Sequence, residues 1–378
     1  MRVQFSHLLS ILGITLFLAP ASAAGPIDTL KPGEWYEVPN SNLRAVAPNP
    51  NPNGDVSMVM GAWSGGAYDS QRDRLIIWGG GHADYSGNEL YAFDVNTLSW
   101  SRVWGPSTNI PFPSCSETYP DGNPSSRHTY GGLEYLPDQD AFWANGGSAW
   151  SCGWFKTDTW TFSFRTGTWA RQQYLPIDVS LGESGNVTAF DPVTRHIFML
   201  SPNNGGFEFD PIANTWTKRT NSTIDTYKSG ALDWKRRILV VLGGGGFNTF
   251  VLQPDGSLVY QDRAISGATE IVNATHPGIV YDPVSDQMVA WSGGPNVYTL
   301  NLDTWAWTKR SPAASNTVTP TAAATQGTYG RWRYIASKNA FIGVNDVDED
   351  VYIYKLSSGG GTTGDTTPPA AIRDLRTR

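Results

Sequence analysis

Four of the five histidines lie beyond residue 24, and two of them, His82 and His128, stand beside other groups able to handle protons. His82 falls in the polar stretch Gly81-His82-Ala83-Asp84-Tyr85-Ser86-Gly87-Asn88, directly after a glycine run. His128 belongs to Arg127-His128-Thr129-Tyr130, and His276 precedes Pro277-Gly278. Tyr227-Lys228 and the group Tyr329, Arg331 and Arg333 add phenols and cations. Imidazole gains and loses a proton near neutral pH, and a planar guanidinium grips a carboxylate through two parallel hydrogen bonds. Such a set suits general acid–base chemistry on an anionic substrate, provided the fold brings the residues together. His196, expected in the middle of a strand, reads as structural.

The elements that would have to do this are visible in residues 68–100. Tyr68-Asp69 opens a turn, Leu75-Ile76-Ile77-Trp78 is an apolar run, and Gly79-Gly80-Gly81 ends it. Then come Leu90-Tyr91-Ala92-Phe93, a turn at Asp94-Val95-Asn96-Thr97, and Trp100. Short β-branched and aromatic runs broken by Gly and Asx turns predict consecutive antiparallel strands. One such unit cannot bury both faces of its sheet, so copies are expected. Six exist, with the turn aromatic or its apolar substitute at Tyr68, Tyr135, Phe190, Leu232, Tyr281 and Tyr334. Gly pairs follow at 79–80, 146–147, 243–244 and 293–294, and closing aromatics stand at Trp100, Trp169, Trp216, Tyr260 and Trp307.

These spacings resemble the kelch repeat over roughly residues 33–356. The resemblance implies an all-β fold: a kelch-type β-propeller of six blades, with seven as the alternative if 39–57 or 311–326 hides a degenerate strand set. The sixth copy, ending at Val351-Tyr352-Ile353-Tyr354, has no outer strand of its own. The strand around Trp35 is expected to supply it and close the ring, which removes exposed edges. In such a blade the loop between strands two and three shares a face with the connections from blade to blade. His82, His128, His276, Tyr227, Lys228, Tyr329, Arg331 and Arg333 all fall on that face. The repeated Asp turns fall on the other and read as structural.

Composition bounds the rest. With 16 % charged residues, 12 % aromatic and 40 Gly in 378 residues, the chain suits a turn-rich β domain with a large core. A net charge of −7 gives no nucleic-acid footprint, which needs a basic patch. Residues 1–24 read as a signal peptide: Arg2, an apolar stretch from Leu8 to Leu18, and Ala21-Ser22-Ala23. That stretch is too short to span a bilayer comfortably, so a secreted or periplasmic monomer without a membrane partner is expected. Residues 25–356 form the propeller, and 357–378 begin as a Gly/Thr linker whose DTTPPAAIRDLR resembles a truncated fibronectin type III start. Cys115 and Cys152 lie in insertions (103–126 and 148–157) on the same face, and a disulfide between them is expected in an exported chain. Trp150, Trp154 and Phe155, in the second insertion, could stack on sugar rings or pack against the first. Asp346, Asp348, Glu349 and Asp350 offer calcium-type oxygen ligands, but without a spaced loop a solvated acidic turn is the preferred reading. Otherwise no cofactor or metal is expected.

Exported propellers similar to this one include uronate polysaccharide lyases and galactose-oxidase-like copper enzymes. The lyase likeness implies His82, His128 and Tyr130 as acid–base groups, with Arg127 or Arg331 neutralising the substrate carboxylate. Tyr85, Tyr227, Lys228, His276, Tyr329 and Trp150 would contact a polysaccharide. Such lyases tend to carry a further histidine where this chain reads Ala62-Trp63-Ser64-Gly65, so either His128 takes over that role or the activity differs. The copper enzymes need a Cys cross-linked to a Tyr, which the expected disulfide would preclude. A propeller that binds glycan or protein at the same rim without turnover is the second function class.

Overall fold

The computed structural model describes residues 25–152, 155–177 and 185–359. Residues 1–24, expected to be a signal peptide, Trp154 and nearly all of the C-terminal tail lie outside them. The strands assemble into six antiparallel sheets whose inner strands meet in sequence order around a central axis, with the first meeting the last. The protein is a six-bladed β-propeller. Trp35–Val38 pairs antiparallel with Val351–Tyr354, Trp35 opposite Tyr354 and Val38 opposite Val351, so the N-terminal strand closes the ring as expected. The Trp35 ring lies 4.7 Å from Tyr354 and 5.5 Å from Trp291 of the fifth blade, and its indole N–H donates to the Pro295 carbonyl.

Blade position explains the hydrophobic patterns. A strand deep in a blade has a neighbouring blade on each side, so both of its faces are covered. Ile238–Gly243 is accordingly apolar and buried throughout, whereas the outer strand Thr215–Thr220 has no buried residue. Each blade interface carries its own apolar cluster. Ala67, Ile76 and Trp78 of blade one, for example, meet Leu133, Phe142 and Phe162 of blade two.

The face with the repeated turns is committed to stability. Asp69, Asp191, Asp233 and Asp282, all fully buried, accept the backbone N–H two residues on. The turn tyrosines Tyr68, Tyr135 and Tyr281 donate across the turn to Asp73, Asp140 and Asp286, and Tyr334 does the same to Asn339. Those four acceptors sit at φ between 44° and 56°, a left-handed conformation that Asp and Asn tolerate better than most residues. Arg72–Asp140, Arg237–Asp191 and Arg236–Asp286 then bridge adjacent blades at 2.6–2.8 Å.

Three details depart from the sequence reading. Residues 148–157 are not a free insertion: Ala141–Ala149 and Phe155–Ser163 run on as nine-residue strands, leaving a short tip. Arg127–His128 is a separate strand that pairs with Ser148–Ala149 and props this extension, while the inner strand proper begins at Leu133. Blade five gains a parallel strand at Ser266–Gly267.

The Cys115–Cys152 disulfide is formed and joins the two insertions across 37 residues of chain. Closing a loop of that length is expected to stabilise the fold by about 3–4 kcal/mol. A Cys115→Ser, Cys152→Ser double variant should lose that amount in urea titration. The denatured, unreduced parent should show no titratable thiol, and finding free thiols would overturn the bond.

Candidate functional site

Five residues before each turn aromatic, the chain approaches the inner strand through a left-handed residue. In blade order these are Trp63, Tyr130, Gly185, Tyr227, His276 and Tyr329, with φ of 46°, 49°, 81°, 66°, 41° and 49°. The conformation serves the backbone: Tyr130 N–H donates to Trp63 O at 2.7 Å, His276 N–H to Tyr227 O at 3.3 Å, and Tyr329 N–H to His276 O at 2.9 Å. Glycine would make the same links without the ~1–2 kcal/mol that a Cβ costs there. Five of the six positions nevertheless carry a ring.

The rings converge over the mouth of the propeller. His82 and His128 are 5.4 Å apart between ring centroids, and Trp63 lies 4.9 Å from His128. From His128 the series continues to Tyr130 at 6.1 Å, then to Tyr329 at 6.4 Å. His276 stacks on Tyr329 at 4.2 Å, and Tyr227 lies 5.4 Å beyond it. His82 and Tyr227 are exposed and Trp63 half-buried, while His128, Tyr130, His276 and Tyr329 form a buried floor.

The histidines differ in what holds them. His128 Nε2 lies 2.6 Å from Asp84 Oδ2. A carboxylate can only accept, so Nε2 carries the hydrogen and Nδ1 is the proton-accepting atom of the neutral ring. Asp84 reaches this position because its loop is clamped onto blade two: Gly81 N–H donates to Ser126 Oγ, His82 N–H to Ser148 O, and Tyr119 Oη–H to Ser86 O. A Cβ on Gly81 would meet Arg127 Cα at 2.1 Å, so only glycine permits this approach. His276 instead has Nδ1 2.9 Å from the Gln326 carbonyl, which makes Nε2 its acceptor. Burial, reinforced by the nearby Lys228 ammonium, pulls its pKa down to about 4. The phenols of Tyr130 and Tyr329 are pushed up by burial and stay protonated.

No family model and no curated protein sequence matches this chain. Solved structures do match. One is a crystal structure of a Bacteroides thetaiotaomicron protein of unknown function, 12 % identical, with a TM-score of 0.53 over 85 % of this chain and 75 % of that one. At that identity the likeness shows a shared fold alone, and propellers host many unrelated activities.

Several residues expected at the rim have other occupations. Arg127, 1 % exposed, spends its guanidinium on Asp158 at 2.9 Å and on the carbonyls of Ser125, Gly146 and Glu117. Arg331 is fully buried and donates to the carbonyls of Val344, Met60, Ser64 and Gly327. Neither can grip a substrate carboxylate. Arg333 lies along the axis beneath the mouth, donating to Gly66 O and facing Glu134 at 3.9 Å. Lys228 is buried with its ammonium on Gly243 O at 2.6 Å. Trp150 packs against the other insertion, its indole N–H donating to Pro111 O and its ring 5.8 Å from Phe112, so it offers no free face to a sugar. Asn88 ties its loop to Ser107 and Pro124. The acidic turn disperses: Asp348 pairs with Arg44, Asp350 accepts from Ser41 N–H and Glu349 from Thr321, and no metal-ligating cluster occurs among the described residues. His196 pairs with Glu208, consistent with a structural role.

Trp63 is the site residue that sequence reasoning passed over. Counting five residues back from Tyr68, as for Tyr130 and Tyr135, would have found it.

Tyr85 is wholly internal and donates to Glu89 Oε1 at 2.8 Å. Burial raises the Glu89 carboxyl from the ordinary 4.5 to about 7. The folded protein therefore holds this proton more tightly than the unfolded chain does. The contribution of this one group to stability is fully present below about pH 4.5 and is lost as pH rises through about 7, a change on the order of 3 kcal/mol. Glu89→Gln should abolish that fall, and urea midpoints at about pH 5 and pH 8 test it: a parent-like difference in the variant would exclude Glu89 as the cause.

Proposed function

We propose that this is an exported, monomeric, carbohydrate-active propeller of the kelch type that cleaves a uronic-acid glycan by β-elimination. The observation that carries the reading is the His128–Asp84 pair at 2.6 Å, with His82 and Tyr130 in ring contact at an open mouth. In this reading His128 removes the proton beside the uronate carboxylate. The electron pair released forms the new C=C bond as the adjacent C–O bond breaks. Tyr130, a phenol kept protonated by burial, gives its proton to the leaving oxygen. With both arginines spent internally, exposed His82 is the group left to face the carboxylate, whose developing enolate charge must be stabilised. Asp84 is a positioning residue that fixes the His128 tautomer. Export rests on the leader-like N-terminus and agrees with the disulfide.

Incubating the purified protein with uronate polysaccharides and following ultraviolet absorbance of the unsaturated product tests this directly. Absorbance growing with time supports the lyase. Binding without any product favours the second reading, a non-catalytic glycan-binding module, which the internal satisfaction of Arg127 and Arg331 and the aromatic character of the mouth recommend. The copper-oxidase alternative is set aside, because both sulfurs are bonded to each other and no thiol remains for a Tyr cross-link.

A further inference from the structure

The two sides of the mouth differ in chemistry. Blades one and two present His82, His128 and Asp84, groups that carry or exchange charge. Blades four to six present Tyr227, His276 and Tyr329. On this second side His276 stays neutral, with Nε2 as an acceptor, and the phenols keep their protons. The cations nearby are turned inward: Lys228 donates to Gly243 O and faces Asp225 at 3.8 Å, and Arg331 serves four carbonyls. A carboxylate placed here would lose water and gain no counter-charge. Tyr227 is 52 % exposed although its backbone is held left-handed at φ 66° and its ring rests on His276. Beneath it, the Tyr329 hydroxyl is buried without a hydrogen-bond partner, a polar group for which the fold itself supplies nothing. His128 and Tyr227 are not in ring contact: the series between them runs through Tyr130, Tyr329 and His276 in four steps of 4.2–6.4 Å.

We propose that Tyr227 forms a second saccharide subsite across the mouth from His82 and His128, that it stacks an uncharged sugar, and that the ligand is therefore an oligosaccharide spanning both sides. The inference rests on the glycan reading above and adds length and charge pattern to it. An aromatic face contributes roughly 0.5–1.5 kcal/mol to a stacking contact, which is up to about tenfold in affinity.

Calorimetric titration with three probes tests it: a uronic acid monosaccharide, a tetrasaccharide of uronic acid alone, and a tetrasaccharide in which uronate alternates with a neutral hexose. The parent should bind the mixed tetrasaccharide about tenfold more tightly than the all-uronate one. Tyr227→Gly, which keeps the left-handed backbone, should erase that preference while leaving monosaccharide affinity and melting temperature near the parent's; Tyr227→Phe should retain it. A Tyr227→Gly variant with the parent's preference would overturn the subsite and leave the proposed lyase intact. Failure of the parent to bind or cleave any of the probes, or any uronate polymer, would instead sink the glycan reading and this inference with it.

Discussion

Replacing His128 with alanine is expected to slow formation of unsaturated product by ~10²–10⁴-fold, the usual contribution of a positioned acid–base group. The size follows from the arrangement around the ring. Asp84 fixes the tautomer, Trp63 packs at 4.9 Å and Tyr130 at 6.1 Å, so the imidazole is held in one orientation. Alanine also removes a buried ring and leaves Asp84 unpaired, so loss of activity alone would not separate chemistry from folding. His128→Gln does. Its amide N–H can still donate to Asp84 and fill the pocket, but it cannot take up a proton. The glutamine variant should therefore melt close to the parent, bind the same glycan with little change in affinity, and still lose turnover. Asp84→Asn should give a milder loss in kcat with KM nearly unchanged, as befits a group acting through another. A His128→Gln enzyme retaining full kcat would remove His128 from the mechanism and shift attention to His82.

The fold was legible because a propeller writes itself into sequence several times over. The turn aromatics, the Gly pairs and the closing aromatics each recur with the blade, and the missing outer strand of the sixth copy pointed to Trp35. Facing was legible too, since blade topology alone put His82, His128, Tyr227, His276 and Tyr329 on one rim. What the sequence could not convey was how a side chain's hydrogen bonds are spent. Arg127 and Arg331 look like ligands for an anion in one dimension. In three they are surrounded by carbonyls of neighbouring loops that are far away in sequence, Met60 and Ser64 in the case of Arg331. Trp150 carried both readings until the Pro111 carbonyl was found against its indole. Nothing near Asp84 in the sequence marks it out, because its partner lies 44 residues away, in the next blade.

The substitution expected to cost most stability is Arg331→Met. The guanidinium is fully buried with no carboxylate hydrogen-bonded to it, and burial lowers its pKa to about 10, a measure of how poorly this site solvates charge. What it receives in return is four backbone acceptors: Val344 in its own blade, Gly327 just before it, and Met60 and Ser64 on the chain leading into blade one. It therefore fastens the last blade to the first on the face that carries His128. Methionine fills similar space but donates nothing, so up to four buried carbonyls lose their partner. An unsatisfied buried group costs ~1–3 kcal/mol, so a loss on the order of 5 kcal/mol is expected even if the loops partly relax. That is a large share of the ~5–15 kcal/mol by which folded domains exceed the unfolded state. Urea denaturation should show the midpoint falling sharply with the slope unchanged. Arg331→Lys should recover only part, since three N–H groups on one nitrogen cannot reach carbonyls spread around a planar fork. The contrary outcome is equally readable: a variant that unfolds like the parent but binds uronate weakly would make Arg331 the carboxylate clamp that its place in the sequence first suggested. Ser64 also follows Trp63 directly, so a loosened Arg331 should disturb the Trp63–His128 contact and lower turnover through the ring closure rather than through the substrate.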